Sequence, residues 1–408
     1  MATPPSVPRA TESYDHRNLR GQMAYSSAMS IKLVAKNYRA LRSVSWDIAP
    51  GVSALVGPNG SGKSTLLGVT RFLGLLRAKG LMDAIEHEAR GELYLRNWYA
   101  PTSEPVLLGI RVDDSKWMID FGYHASSVQR SFGEQLELGD EGVRRRADEQ
   151  IFRMTKSGDV TTTHGLLAFD QPAIASRPEA QRIIGVVSNS RVYATDSYDI
   201  ERLRIGSPAF GSGPLIADGT NALTLLRNWR DARATRPRIE FVQSALAAAF
   251  GPLFTEFEFE VAGQTLAAKL VTAGEERSVP HFLAPNGFLI AMLHLCAVAG
   301  AEPQSIIAID EPENGLHPFA IRALLEAIDE WATEHEISVV LATHSPVVLN
   351  YFAAKPERVF VLGAKEHEER DQPVPLTALR DPGWLAQFAL GDLFTNLEFA
   401  APSPSTKP

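Results

Sequence analysis

The chain has 408 residues, 45% hydrophobic and 22% charged, which is enough apolar material for a large globular protein of two or three packed lobes. With 40 basic against 48 acidic side chains the net charge is −8, which excludes indiscriminate nucleic-acid binding through overall charge and leaves only a local basic face as a route to DNA. One cysteine, Cys296, excludes a disulfide framework and fits a reducing cytosol, and the ten histidines lack zinc-site spacing.

In chain order, residues 1–29 are rich in Pro, Ser, Thr, Arg and Ala without an apolar core; they read as a disordered segment and not a secretory signal, with Met29 an alternative start. Strands are predicted over Ile31–Ala35 and Val44–Ile48, then after the Gly51 turn along Val52, Ala54, Leu55 and Val56. Leu66 and Leu67 open a helix. Short β-prone runs follow at Leu93–Tyr99, Val106–Val112 and Trp117–Tyr123, predicting an antiparallel β subdomain over 92–163. Arg144, Arg145 and Arg146, flanked by Asp140, Glu141, Asp148 and Glu149, read as a solvated, self-compensated segment. Residues 175–285 are predicted to form a helical lobe, clearest at Asn221–Arg233 and Ile239–Phe250. Arg227, Arg230 and Arg233 share a helical face there, with Arg236 and Arg238 following, and are read as an ordinary exposed face. Gly287–Ala301, interrupted by His294, is too short to span a membrane and reads as a core helix holding Cys296. Buried strands at Ile306–Ile309, Val339–Ala342 and Arg358–Leu362, with a helix at Pro318–Glu334, indicate a parallel α/β core built from both ends of the chain. Residues 401–408 read as a loose tail.

Gly57, Pro58, Asn59, Gly60, Ser61, Gly62, Lys63 and Ser64 form a complete G-x-x-x-x-G-K-[ST] phosphate loop between strand and helix, followed by Thr65. Glycines let backbone N–H groups curl around phosphate oxygens, Lys63 reaches the β/γ-phosphates, and the Ser64 hydroxyl is placed for Mg²⁺. The strand Ser305–Ile309 ends in Asp310 and Glu311. A buried parallel strand delivers such side chains to the ligand edge of the sheet, so Asp310 suits the Mg²⁺ shell and Glu311 the attacking water. His344 lies just past the next strand, within reach of a γ-phosphate.

Gly57–Ser64, Asp310-Glu311-Pro312-Glu313-Asn314-Gly315-Leu316-His317-Pro318 and Thr343-His344-Ser345-Pro346 resemble the Walker A, Walker B with D-loop, and switch-histidine motifs of stand-alone ABC-type (RecF/SMC/OLD-like) P-loop ATPases. Bacteria use these in DNA maintenance and in defence against phage. Asp218–Leu223 and Ala389–Leu393 are weaker matches. The resemblance covers residues 30–400 and implies an α/β ABC-type ATPase head with a mixed central sheet, the antiparallel subdomain and the helical lobe. It implies ATP and Mg²⁺ as cofactors, Lys63, Glu311 and His344 as catalytic residues, and Ser64 and Asp310 at the metal. It places Tyr38 near the adenine. It also implies an ATP-dependent homodimer in the cytoplasm, in which a Ser-x-Gly signature from one protomer caps the other's γ-phosphate. Here Pro285 stands where that serine is expected, leaving Asn286, Gly287 and the helix end as donors. An ATPase that drives dimer closure, acting on DNA or on an effector such as a nuclease or toxin encoded nearby, is the leading expectation. A nucleotide-gated module that sequesters such a partner is second, and a transporter's ATPase subunit third.

Overall fold

The computed structural model describes residues 29–89, 94–101, 103–123, 130–139, 141–146, 151–154, 158–161, 167–168, 171–272, 278–363 and 372–395. The expectations for residues 1–28 and 401–408 therefore lie outside the described residues, as do Asp140, Asp148 and Glu149 beside the Arg144–Arg146 run.

The chain begins with β1 (Ile31–Tyr38), β2 (Leu41–Ile48), β3 (Gly51–Val56), α1 (Lys63–Lys79) and α2 (Leu81–Ala89). There follow β4 (Val106–Val112), β5 (Ser115–Tyr123), β6 (Arg130–Leu138), β7 (Glu141–Arg146), β8 (Ile151–Met154), β9 (Gly158–Thr161), α3 (Pro172–Ala175), α4 (Pro178–Asn189) and β10 (Arg191–Ala194). The middle of the chain holds α5 (Ile200–Ile205), β11 (Ser207–Pro208), α6 (Ala222–Asp231), α7 (Arg236–Phe250), β12 (Glu256–Ala262), β13 (Thr265–Val271), β14 (Ser278–Pro280) and α8 (Asn286–Ala299). It closes with β15 (Ile306–Asp310), α9 (Pro318–Glu334), β16 (Ser338–Ala342), α10 (Pro346–Tyr351), β17 (Val359–Val361), β18 (Val374–Pro375), α11 (Leu376–Leu379), α12 (Pro382–Leu385) and α13 (Leu390–Thr395).

The central sheet has the order β10-β15-β16-β3-β17-β18 and is parallel except for β18. Every residue of β3 is buried, as a strand covered on both faces must be. Alternate side chains feed two different cores. Leu55, Ile306, Ala308, Val340 and Ala342 face α1 and the second sheet, whereas Ala54, Val56, Ile307, Ile309, Val339 and Leu341 face α8, α9 and the middle of the chain. α8 is buried all round from Phe288 to Ala299, the pattern of a helix enclosed by protein.

The second sheet is antiparallel, β2-β1-β4-β5-β6-β7, so β4 to β7 continue a sheet that the N-terminal hairpin begins. Two local expectations fail. The run Leu93–Tyr99 is no strand in its described part; it makes a single bridge, Tyr38 to Arg96, because Leu95 and Asn97 bond the β1–β2 turn instead. The stretch 175–285 is not wholly helical either, since β10 joins the central sheet and β11 to β14 form a small antiparallel sheet against α6 and α8. The alternation Phe257, Leu266, Ala268, Leu270 carries that period-2 signal. Among the described residues no helix is long and apolar enough to cross a membrane.

Candidate nucleotide site

The site forms at the C-terminal ends of β3, β15 and β16, which lie side by side in register. Parallel strands aim their ends, and the loops that follow, at one edge of the sheet. The phosphate loop leaves β3 there. Gly62 has φ 102°, and a Cβ on it would stand 2.8 Å from Leu41 Cδ2 at the start of β2, so only glycine fits. Lys63 is buried and its Nζ donates to the carbonyls of Gly57 (2.9 Å) and Pro58 (3.3 Å). Burial lowers its pKa, partly opposed by the charges of Asp310 and Glu311. The Ser61 hydroxyl is buried without a partner among the described residues. A loop with such an unpaired hydroxyl and a lysine at its mouth fits a polyphosphate.

Opposite, the Ser64 side chain lies near the Asp310 carboxylate, whose pKa burial raises. Glu311 and Asp196 add negative charge to that carboxylate and Lys63 opposes them. Asp196, just past β10, was missed in the sequence, where nothing marked it. Among the described residues no cluster of three His, Cys, Asp or Glu side chains is able to hold a metal unaided. A Ser64–Asp310 pair fits Mg²⁺, which takes one or two protein oxygens and completes its shell with phosphate and water.

Glu311 adopts φ 52°, a left-handed conformation that is uncommon outside glycine and here is held from both sides. Its N–H donates to Ala342 O (2.8 Å), and Thr195 Oγ1 donates to Glu311 O (2.8 Å) and Asp310 O (3.1 Å). Its carboxylate accepts from Asn314 Nδ2 at 2.6 Å. His344 is half-buried on the loop after β16; burial and the nearby Lys63 charge lower its pKa, so the imidazole is neutral at pH 7.

Asn286 and Gly287 open α8, whose N-cap, Pro285, supplies no side-chain hydrogen bond. A Cβ on Gly287 would stand 2.7 Å from Gly315 O, so this glycine lets α8 pack on its own chain's loop after β15. Asn286 Oδ1 accepts from Arg204 Nη2 at 2.6 Å. Arginine only donates, so the free end of the Asn286 amide is its NH₂.

Other sequence signals resolve into structure. Tyr38, expected near an adenine, is fully buried and packs edge-on against Phe72 with ring centroids 6.2 Å apart; it faces the core and corrects that expectation. Asp218 caps its own turn through Thr220, and the Gly391 N–H donates to Asn350 Oδ1, docking α13 on α10. The arginine face is engaged locally: Arg227 bonds Ala209 O, Arg230 pairs with Asp231 and Arg238 with Glu302.

Residues 194–350 match the family model described as "AAA domain, putative AbiEii toxin, Type IV TA system". The phosphate loop, the strand-terminal acids Asp310 and Glu311 and the histidine after β16 resemble the motifs of ABC-type P-loop ATPases. A "Putative ABC transporter ATP-binding protein" of Methanosarcina acetivorans is 34% identical over 117 residues, 28% of this chain and 34% of that protein. One of the same description from Methanosarcina mazei is 31% identical over 141 residues, 34% of this chain and 40% of that protein. The chain thus matches well under half the length of these relatives. Among solved structures, the SMC head domain from Thermotoga maritima aligns over 82% of this chain and 94% of that one, with 13% identity and a TM-score of 0.40. The phosphate loop lies upstream of the matched segment, and the two acids and the histidine lie within it.

Proposed function

We propose that this P-loop head binds and hydrolyses ATP with Mg²⁺. The observation that carries the reading is the convergence of Lys63, Ser64, Asp310, Glu311 and His344 at one sheet edge, although the first two and last three lie some 250 residues apart. The loop backbone from Gly57 to Thr65 cradles the phosphates, and Lys63 exchanges its carbonyl partners for β/γ oxygens. Ser64 and Asp310 hold the Mg²⁺, which when bound neutralises phosphate charge. Glu311, fixed by Asn314, polarises the attacking water; neutral His344 contacts the γ-phosphate side.

ATP-driven closure of a homodimer is part of this reading. It is supported by the exposed apolar rim beside α8, Phe282, Leu283 and Phe319, and by the outward NH₂ of Asn286, which replaces the missing serine hydroxyl as a donor. The Pro285 departure favours a second version, a slow nucleotide-gated module that holds a nuclease or toxin partner. A cytoplasmic setting, a role in DNA maintenance or phage defence, and a transporter role like that in the relatives' descriptions rest on resemblance alone.

The test is paired. Lys63→Ala abolishes MgATP binding by calorimetry. Glu311→Gln retains it, loses on the order of 10²–10³ in hydrolysis rate, and shifts from monomer to dimer with MgATP by light scattering. Equal ATP affinity in Lys63→Ala and wild type would remove the nucleotide reading.

A further inference from the structure

Glu313 belongs to none of the roles above, yet it is the most connected side chain between the site's two loops. Its Oε1 accepts from Thr343 Oγ1 (2.8 Å) and from the His344 backbone N–H (3.2 Å), while Oε2 is buried without a partner among the described residues. Thr343 Oγ1 in turn accepts from the Ser345 N–H (2.9 Å), and Ser345 Oγ caps α10. On its other side, the loop carrying Glu313 rests on α8 at two points. Gly315 O meets the α-carbon of Gly287 too closely for any side chain there, and Pro312 lies over the buried His294.

We propose that Glu313 is a positioning residue that ties the loop after β15 to the loop carrying His344, so that movement of the α8 end is passed to the imidazole. A carboxylate suits this because one oxygen accepts two donors from consecutive residues, fixing the direction of the His344 backbone and hence of its ring. The inference rests on the hydrolysis reading: the beginning of α8 is where closure is felt, His344 is where hydrolysis is sensed, and the path between them runs through Glu313. Burial raises the Glu313 pKa, which agrees with a carboxyl enclosed between the two loops.

Four measurements test it. Glu313→Ala lowers kcat about 10²-fold with MgATP affinity unchanged, the cost of a misplaced group next to the chemistry. Glu313→Gln, whose side-chain oxygen accepts the same two bonds, restores most of that loss. A double-mutant cycle with Gly287→Ala gives less than additive losses in kcat, because the second change acts through a link already cut. Independently of turnover, the His344 amide exchanges with solvent faster in Glu313→Ala than in wild type; the same comparison in Thr343→Val serves if the alanine variant does not fold. Wild-type kcat in Glu313→Ala, a glutamine variant as slow as alanine, fully additive losses, or an unchanged His344 amide would each overturn the proposal. A wild-type protein that binds no MgATP would instead sink the hydrolysis reading, and the amide exchange would still decide whether Glu313 holds His344.

Discussion

Lowering the pH probes the junction between α8 and the acidic loop through His294. The ring is fully buried; its Nδ1 pairs with the Tyr198 hydroxyl at 3.2 Å, and its Nε2 lies by the Pro312 carbonyl without completing a hydrogen bond. Burial pulls its pKa from 6.5 down to about 4. The unfolded chain therefore takes up a proton at higher pH than the folded one, and stability present above pH 6.5 is lost as pH falls toward 4. A gap of about 2.5 pH units is worth at most about 3.4 kcal/mol, of which about 2 kcal/mol is expressed at pH 5. Asp310 and Glu313, whose pKa values are raised by burial, act with the opposite sign, so the comparison must be differential. The measurement is urea unfolding of wild type and His294→Gln at pH 7 and pH 5; glutamine keeps an acceptor for Tyr198 and does not titrate. The variant is expected to lose about 2 kcal/mol less than wild type between the two conditions. Parallel losses would refute the assignment, as would an imidazolium signal from His294 at pH 5 in the folded protein.

Tyr38→Phe removes a buried hydroxyl that has no partner among the described residues. It is expected to leave MgATP affinity unchanged and to raise unfolding stability by about 1 kcal/mol; weakened ATP binding by calorimetry would return Tyr38 to the nucleotide site. Gly287→Ala places a methyl against the Gly315 carbonyl, a backbone atom that cannot yield by rotating. A loss of about 1–3 kcal/mol in denaturant unfolding is expected, and an unchanged midpoint would show that α8 does not pack on that loop.

The sequence carried the parts of the fold whose local chemistry is unambiguous. The phosphate loop needs its glycines, β15 is an unbroken apolar run ending in two acids, and α8 is apolar without a polar face; each announces its place directly. What was hidden depended on distant partners. Glu313 reads as one acid among three until Thr343 and His344 converge on it. Asp196 and Thr195 reach the site only because β10 pairs with β15 at the sheet's edge, a neighbour relation no local pattern encodes. Tyr38 was misplaced because proximity in sequence to the β1–β2 turn says nothing about which face its ring takes. The strand over Leu93–Tyr99 was wrong for a related reason: its β-prone residues are spent on a turn, and Trp98 and Tyr99 remain exposed.

β3 alternates its side chains between two cores, with Leu55 in one and its neighbours Ala54 and Val56 in the other. The phosphate loop hangs from the end of that shared strand. Melting either half would strip the other of a packing partner along β3. A ligand gripped at the loop therefore lends its free energy of binding to both halves together. Occupancy is expected to register in the thermal stability of both cores, far from any atom the ligand touches.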